Sequence, residues 1–442
     1  MNEAPSSRHQ RKISPNQTPS ADTLARLPTW EDDPHDPGES TYAEWLAAGL
    51  VLPDMDAVRE YRLERVRAAL RERDCAGIVL VDPLNTRYAT DSTNMQLWCT
   101  HNACRYAFVA TEGPVIVFDY GNCAHLSAHL PLVTEVRPCT SWFYFVSGSR
   151  TEEHAKKWAA EIADLVREHG GGNKRIAIDK CNPEGFEELQ SLGIEVTNGE
   201  ELMEMARTIL SDEEVKAMRC SIHACETAMH VMQDAMQPGM TENRLWSYLH
   251  AENIARGGEW IETRLLSSGP RTNPWFQECS SRVIENGDVV SFDTDLIGPY
   301  GICTDISRTW ICGDKAPSDE ARRVYSEAYK HIERNIEALK PGVTFKEISL
   351  DFYRPPDPYR ENHYSCQMHG VGLCDEYPTI KFPESWEKGG YDGIVEEGMA
   401  FCVESYVGLV GGSVGVKLEE QVLVTADGCE RLSVYPYEED LL

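Results

Sequence analysis

Three aspartates, Asp293, Asp295 and Asp305, follow Asp288 inside residues 288–312, a stretch otherwise built largely from β-branched and aromatic side chains. The run reads as two β-strands joined by a turn at Gly298-Pro299-Tyr300-Gly301. Side chains alternate along a strand, so Asp293 and Asp295 share one face, and folding the hairpin about its turn sets Asp305 opposite Asp295. Three carboxylates that close are costly unless they are protonated or bound by a cation. A solvated edge hairpin whose acids point at water would escape that cost. Val289, Val290, Phe292, Ile302, Ile306 and Ile311 are too apolar for such an edge, so the pattern points to a metal site.

The remaining ligands of such a site must come from elsewhere in the chain. Glu404 and Glu419 sit in the apolar strand runs of a second hairpin over residues 399–425, where a carboxylate is costly unless paired or metal-bound. Between the hairpins lies Met368-His369-Gly370-Val371-Gly372, a histidine flanked by glycines that allow close backbone approach. A lone histidine beside glycine is more often a loop residue than a ligand. Next to several buried carboxylates it becomes a natural nitrogen donor. One imidazole with five or six carboxylate oxygens suits a pair of ions such as Fe, Mn, Co or Zn, held about 3.5–4 Å apart in two-metal sites.

Elements must position these groups. At 442 residues the chain exceeds one typical core, so two domains are expected. Residues 1–38 are rich in Ser, Pro, Asn and Asp and read as a mobile arm. Residues 39–205 alternate helical and strand patterns, an α/β domain. Helices are expected over 54–73 and 152–169, the second stopped by Gly170 to Gly172, with strands over 77–81, 106–109, 114–120, 174–179 and 193–196. The second domain, residues 206–442, opens at Ser211, whose Glu214 completes a capping box. That helix runs to about 237, and a second runs from Thr241 to near Gly257, followed by the Asp-bearing hairpin. Helices over 319–339 and 344–353 then precede the Glu-bearing hairpin. Helix pair plus acidic hairpin occurs twice, as in an internal duplication.

The order Asp…Asp…His-Gly-x-Gly…Glu…Glu, with Asp305-Ile-Ser-Arg-Thr and Val416-Lys-Leu-Glu419 around its members, resembles the creatinase/prolidase/methionine aminopeptidase family. The resemblance covers residues 205–430, and the N-terminal domain more loosely. It implies a creatinase-like N-terminal α/β domain followed by a "pita-bread" catalytic domain. It also implies a dinuclear metal site with Asp293, Asp305, His369, Glu404 and Glu419 as ligands. Two departures turn the expected reaction away from peptide hydrolysis. Asp295 stands where the peptidases have a small residue. His369-Gly-Val-Gly-Leu-Cys-Asp375-Glu376-Tyr-Pro378 lacks the second histidine that handles the scissile amide.

Both departures, with Asp82-Pro-Leu-Asn-Thr-Arg-Tyr-Ala-Thr-Asp91 and the run from Asn94 through Trp98, His101 and Arg105 to Tyr106, are similar to the dimethylsulfoniopropionate lyases of marine bacteria. Those split a small zwitterionic sulfonium compound into dimethyl sulfide and acrylate. That resemblance implies two divalent ions with iron first among them, Asp295 as an added ligand, Asp375 as the base and a homodimer. A sulfonium cation calls for aromatic faces, with Tyr364 and Trp98 the candidates and the cluster over residues 142–145 a further source. Two other readings start from the same residues: an Xaa-Pro aminopeptidase or prolidase, and a binding protein that kept the fold without catalysis.

Composition excludes several classes. Lys+Arg 42 against Asp+Glu 72 leaves a net charge of −30, unsuited to nucleic acid or an anionic membrane surface. No stretch approaches the roughly 20 apolar residues of a membrane span. The 15 cysteines are scattered with no Cys-x-x-Cys pair, which favours free thiols in a reducing cytoplasm over disulfides or a cysteine-rich zinc site.

Overall fold

The computed structural model describes residues 35–442, so most of the arm expected over 1–38 lies outside the described residues. The chain forms two compact units. Leu70–Gly199 is one, and Glu200–Leu442 with the segment ending at Ala69 is the other. Residues 39–69, assigned from sequence to the N-terminal domain, thus belong to the second unit, as does the short stretch 200–205.

Six strands build the first unit: β1 (Gly77–Leu80), β2 (Tyr106–Ala110), β3 (Val115–Asp119), β4 (Glu135–Pro138), β5 (Arg175–Ile178) and β6 (Glu195–Asn198). They form one mixed sheet in the order β4-β3-β2-β1-β5-β6. The helix Thr151–His169 presents Ala155, Trp158, Ile162 and Val166 to Val79, Phe108, Phe118 and Ile176 of the sheet, which is the spacing of an amphipathic helix on a core. Among the short helices that sequence periodicity missed here are two, Pro83–Thr90 and Pro183–Ser191. Each starts with proline at its first position, where no amide hydrogen is required.

In the second unit the capping box forms as expected. Ser211 accepts from the Glu214 amide while the Glu214 carboxylate accepts from the Ser211 amide, opening the helix Asp212–Ala235. The helix Glu242–Ala255 follows. Strands β7 (Trp260–Ile261), β8 (Leu266–Ser268), β9 (Val289–Asp293), β10 (Leu296–Ile297), β11 (Cys303–Thr304) and β12 (Ser307–Ile311) come next. The helices Asp319–Ala338 and Phe345–Asp351 then lead to β13 (Met368–Val371), β14 (Asp375–Ile380), β15 (Ala400–Gly408), β16 (Gly415–Val424) and β17 (Cys429–Arg431). Helix pair followed by acidic hairpin therefore recurs in the observed element order.

The Asp-bearing hairpin differs from the continuous ladder expected. β9 pairs with β12 in one sheet and β10 with β11 in another, with Asp293 opposite Ser307 and Leu296 opposite Thr304. The break falls at Thr294-Asp295, where Asp295 has a left-handed φ of 34°. A short polar residue tolerates that region better than a β-branched one. Asp305 still lies across from Asp295, and the Asp295 amide donates to Asp305 Oδ1 at 3.3 Å.

The second hairpin is a regular antiparallel ladder that pairs Glu404 with Glu419. Its alternation sorts two chemistries. Phe401, Val403 and Val407 of β15, with Val416, Leu418, Val422 and Val424 of β16, join Val324, Tyr325, Ala328 and Ile332 of the helix Asp319–Ala338 in one core. The intervening residues Cys402, Glu404, Lys417 and Glu419 take the opposite face, and all are fully buried.

β13 pairs with both β14 and β15, so His369 sits on a central strand rather than in a loop. Its pairing with β14 is bulged, since His369 faces Thr379 but Gly370 faces Glu376. A side chain on Gly370 would place its Cβ 2.3 Å from the Tyr377 carbonyl oxygen. Only glycine lets the bulged strand approach so closely.

Candidate metal centre

The six residues singled out as metal ligands converge in the second unit. Donor atoms of Asp293, Asp295 and Asp305 lie within 4.8 Å of one another, as do those of Asp293, Glu404 and Glu419, and those of Asp305, His369, Cys402 and Glu419. Asp293, Asp305 and Glu419 each belong to two of these three groups. His369 Nε2 is 3.6 Å from Asp305 Oδ2, 3.5 Å from Glu404 Oε1 and 3.7 Å from Glu419 Oε1. Its Nδ1 lies 3.0 Å from the Gly370 carbonyl oxygen. A ring that donates from Nδ1 presents the Nε2 lone pair to the carboxylates, the tautomer a metal ligand requires.

Electrostatics shows how much positive charge the cluster can take. Burial raises the pKa of Asp295, and Asp293 and Asp375 raise it further. Burial, then Asp293 and Glu419, push Asp305 well above the carboxylate range. Glu419 is driven up by burial and by Glu404. Burial alone would lower His369, but Asp375 and Glu404 outweigh it and raise the imidazole well above its ordinary value. Among the described residues, Glu404 Oε1 and Oε2 and Glu419 Oε1 are buried without a hydrogen bond. Buried carboxylate oxygens without donors need a cation, and this donor set fits hard-to-borderline divalent metals.

Two residues that the sequence reading gave no role complete the cluster. Lys417 Nζ lies 2.8 Å from Asp293 Oδ2, 3.0 Å from Glu419 Oε2 and 2.7 Å from Glu404 Oε2, the last a contact without hydrogen-bond alignment. Burial would push Asp293 up, yet the adjacent ammonium holds it well below the usual range. The Ser307 hydroxyl is 2.6 Å from Asp293 Oδ1 and 2.8 Å from Glu419 Oε2, and it accepts from Lys417 Nζ at 2.7 Å. Lys417 was legible in principle, since period two places it on the face of Glu419 in an otherwise apolar strand. Thr263 supplies a further donor, its Oγ1 bonding Asp295 Oδ2. The Cys402 thiol also lies in the cluster, but burial followed by Glu419 and Asp305 raises its pKa and keeps it neutral.

Asp375 stands beside the cluster, outside the three donor groups. Its Oδ1 is 3.8 Å from His369 Nδ1, and its side chain is 44% exposed. Ringed by protein yet open at the mouth of a cleft, it has its pKa raised by burial, with His369 opposing and Asp293 adding to the rise. The cleft is a cavity of about 370 Å³ lined by Tyr364, Cys366, His369, Asp375, Tyr377 and Tyr391 among others. Tyr364, a sequence candidate for the sulfonium, lines this cavity, but its ring already carries a cation, the Lys417 ammonium 4.5 Å over its centroid. Trp98 belongs to the other compact unit, where it packs edge-on against Phe145; it is not among the residues lining this cavity.

Residues 62–209 match the creatinase/prolidase N-terminal domain and residues 216–426 match metallopeptidase family M24. Over 411 residues, 92% of each chain, the protein is 48% identical to the dimethylsulfoniopropionate lyase DddP of Roseovarius nubinhibens. It is 46% identical, with the same coverage, to the DddP of Roseobacter denitrificans. The chain belongs to the DddP family. Its fold is shared more widely. An Xaa-Pro dipeptidase from Bacillus anthracis superposes with a TM-score of 0.69 at 24% identity over 85% of this chain and 98% of that one. An X-Pro aminopeptidase from Thermotoga maritima gives a TM-score of 0.69 at 22% identity over the same shares. The DddP family thus carries the two-domain α/β and pita-bread architecture of the prolidases, and the M24 fold implies divalent metals at the acidic cluster.

Proposed function

We infer that this protein is a metal-dependent carbon–sulfur lyase that cleaves dimethylsulfoniopropionate to dimethyl sulfide and acrylate. The observation that carries the reading is the identity of 46–48% across 92% of the chain with two DddP lyases, set against 24–28% for its peptidase relatives. The site agrees chemically. β14 offers a carboxylate, Asp375, where the peptidase reading needs a second histidine, and an elimination requires a base rather than an amide-handling imidazole.

Asp293, Asp295, Asp305, His369, Glu404 and Glu419 are the proposed ligands of two divalent ions, with iron first and Mn, Co or Zn as alternatives this donor set accepts. Asp293, Asp305 and Glu419 fall in two donor groups each, which supports two ions rather than one. Ions held by these residues would supply Lewis acidity for the substrate carboxylate and so for the adjacent C–H. Asp375 is the proposed base. It removes the α-proton, the C–H electron pair forms the new double bond, and the C–S pair departs with sulfur as dimethyl sulfide. Burial suits the carboxyl to this work, since a base near its ordinary pKa of about 3.9 takes protons poorly. Tyr364 walls the cavity beside the metal end, its ring holding the Lys417 ammonium in place.

A cytoplasmic homodimer is the proposed working form. All fifteen cysteines are free thiols, as a reducing compartment would keep them. No helix among the described residues is long and apolar enough to cross a membrane.

Metal removal tests the centre. Elemental analysis of the purified protein is expected to give two first-row ions per chain, iron foremost. Exhaustive chelation should abolish dimethyl sulfide release, and ferrous iron should restore it. Undiminished release from metal-free protein would overturn the reading.

A further inference from the structure

The cavity runs past the metal end along one strand. In β14, Asp375, Tyr377 and Thr379 alternate with the buried residues Glu376, Pro378 and Ile380. All three line the cavity. Two residues along a strand span about 6–7 Å, so the Tyr377 ring follows the proposed base at the reach of a small substrate. Tyr391 completes the wall. Its ring stacks on Tyr377 with centroids 5.5 Å apart and planes 15° from parallel, and its hydroxyl accepts from the Thr379 amide at 2.6 Å. The Glu204 carboxylate also lines this end and accepts from the Tyr377 amide at 3.0 Å. Arg207 pairs with both Glu204 and Glu376, and both glutamates line this end of the cavity.

We propose that Tyr377 and Tyr391 form the wall that reads the sulfonium cation, with the substrate lying along β14 from the metal end past Asp375 to the tyrosine pair. This inference rests on the lyase reading and extends it to substrate recognition. Aromatic faces with nearby carboxylates attract a trialkyl cation electrostatically, an attraction that a neutral group of the same shape lacks. Tyr364 is the less suitable reader, because a second cation at its ring would meet the Lys417 ammonium. The spacing along the strand then places the α-carbon at Asp375 and the leaving sulfur at Tyr377, so one strand sets both contacts.

The test is calorimetric binding to the metal-loaded protein, with no turnover needed. The probes are 3-(trimethylammonio)propionate and 4-methylpentanoate, a cationic and a neutral analogue of the substrate. The wild-type protein is expected to bind the cationic probe about tenfold more tightly. Tyr377→Leu should erase that ratio while keeping affinity for the neutral probe, Tyr377→Phe should preserve it, and Tyr364→Leu should leave it intact. If Tyr377→Leu loses the neutral probe as well, the ratio in Tyr391→Leu decides in its place. A ratio that survives at both tyrosines, or one lost in Tyr364→Leu, overturns the proposal. Failure of the lyase reading looks different: the wild-type protein would release no dimethyl sulfide, and the binding ratio would still be measurable.

Discussion

Asp375→Asn is expected to leave metal content unchanged and to lower dimethyl sulfide release by about 10²–10⁴-fold, the range a general base contributes. The substitution keeps size and shape and removes the negative charge together with the capacity to take a proton. Metal content should survive because Asp375 lies outside the three groups of converging donors and points into the cleft, 44% exposed. Its carboxylate lies 3.8 Å from His369 Nδ1, and the imidazole keeps its own anchor on the Gly370 carbonyl. Elemental analysis of the variant alongside headspace assays separates the outcomes. Full turnover would remove Asp375 as the base. Loss of metal would make it a ligand instead.

Lys417→Met is expected to produce the largest loss of stability. The ammonium is fully buried and faces Asp293, Glu404 and Glu419, with the Ser307 hydroxyl lying against two of them. Removing one partner of a buried ion pair costs about 3–5 kcal/mol, because the remaining charge stays buried without its partner. Here three carboxylates lose it together. Urea unfolding of the chelated protein should therefore show a markedly lower midpoint for the variant. Saturating metal should narrow the gap, since bound cations replace part of the missing positive charge and stabilise the state that binds them. An unchanged midpoint in chelated protein would mean that Lys417 only fills space in the sheet.

Most of this centre could be read from sequence because strand alternation makes misplaced carboxylates conspicuous. Glu404 and Glu419 interrupt runs of valine and leucine, and the ladder sets them opposite one another. Ser211 and Glu214 likewise announce a helix start through a local interaction that needs no tertiary partner. Features that depend on long-range contact were not legible. Sequence suggested one continuous Asp-bearing hairpin, but the backbone turns at Asp295 and its two halves join different sheets. β13 is four residues long and carries a glycine, β14 carries a proline, and their pairing is bulged, which leaves too little hydrophobic periodicity to show as strands. Yet they hold His369, Asp375 and Tyr377, and the two glycines beside His369 make sense only against the Tyr377 carbonyl and the Glu376 carboxylate. Lys417 escaped because a lysine in a strand ordinarily reads as surface. Its partners lie as far as 124 residues away in sequence.

Headspace gas chromatography over the purified, metal-loaded protein separates elimination from peptide hydrolysis. One tube holds dimethylsulfoniopropionate, and a parallel tube holds an Ala-Pro dipeptide scored for free proline. Elimination at the centre built around Asp293, His369 and Glu419 predicts dimethyl sulfide with equimolar acrylate and no proline. Proline without dimethyl sulfide would contradict that account and return the centre to peptide hydrolysis.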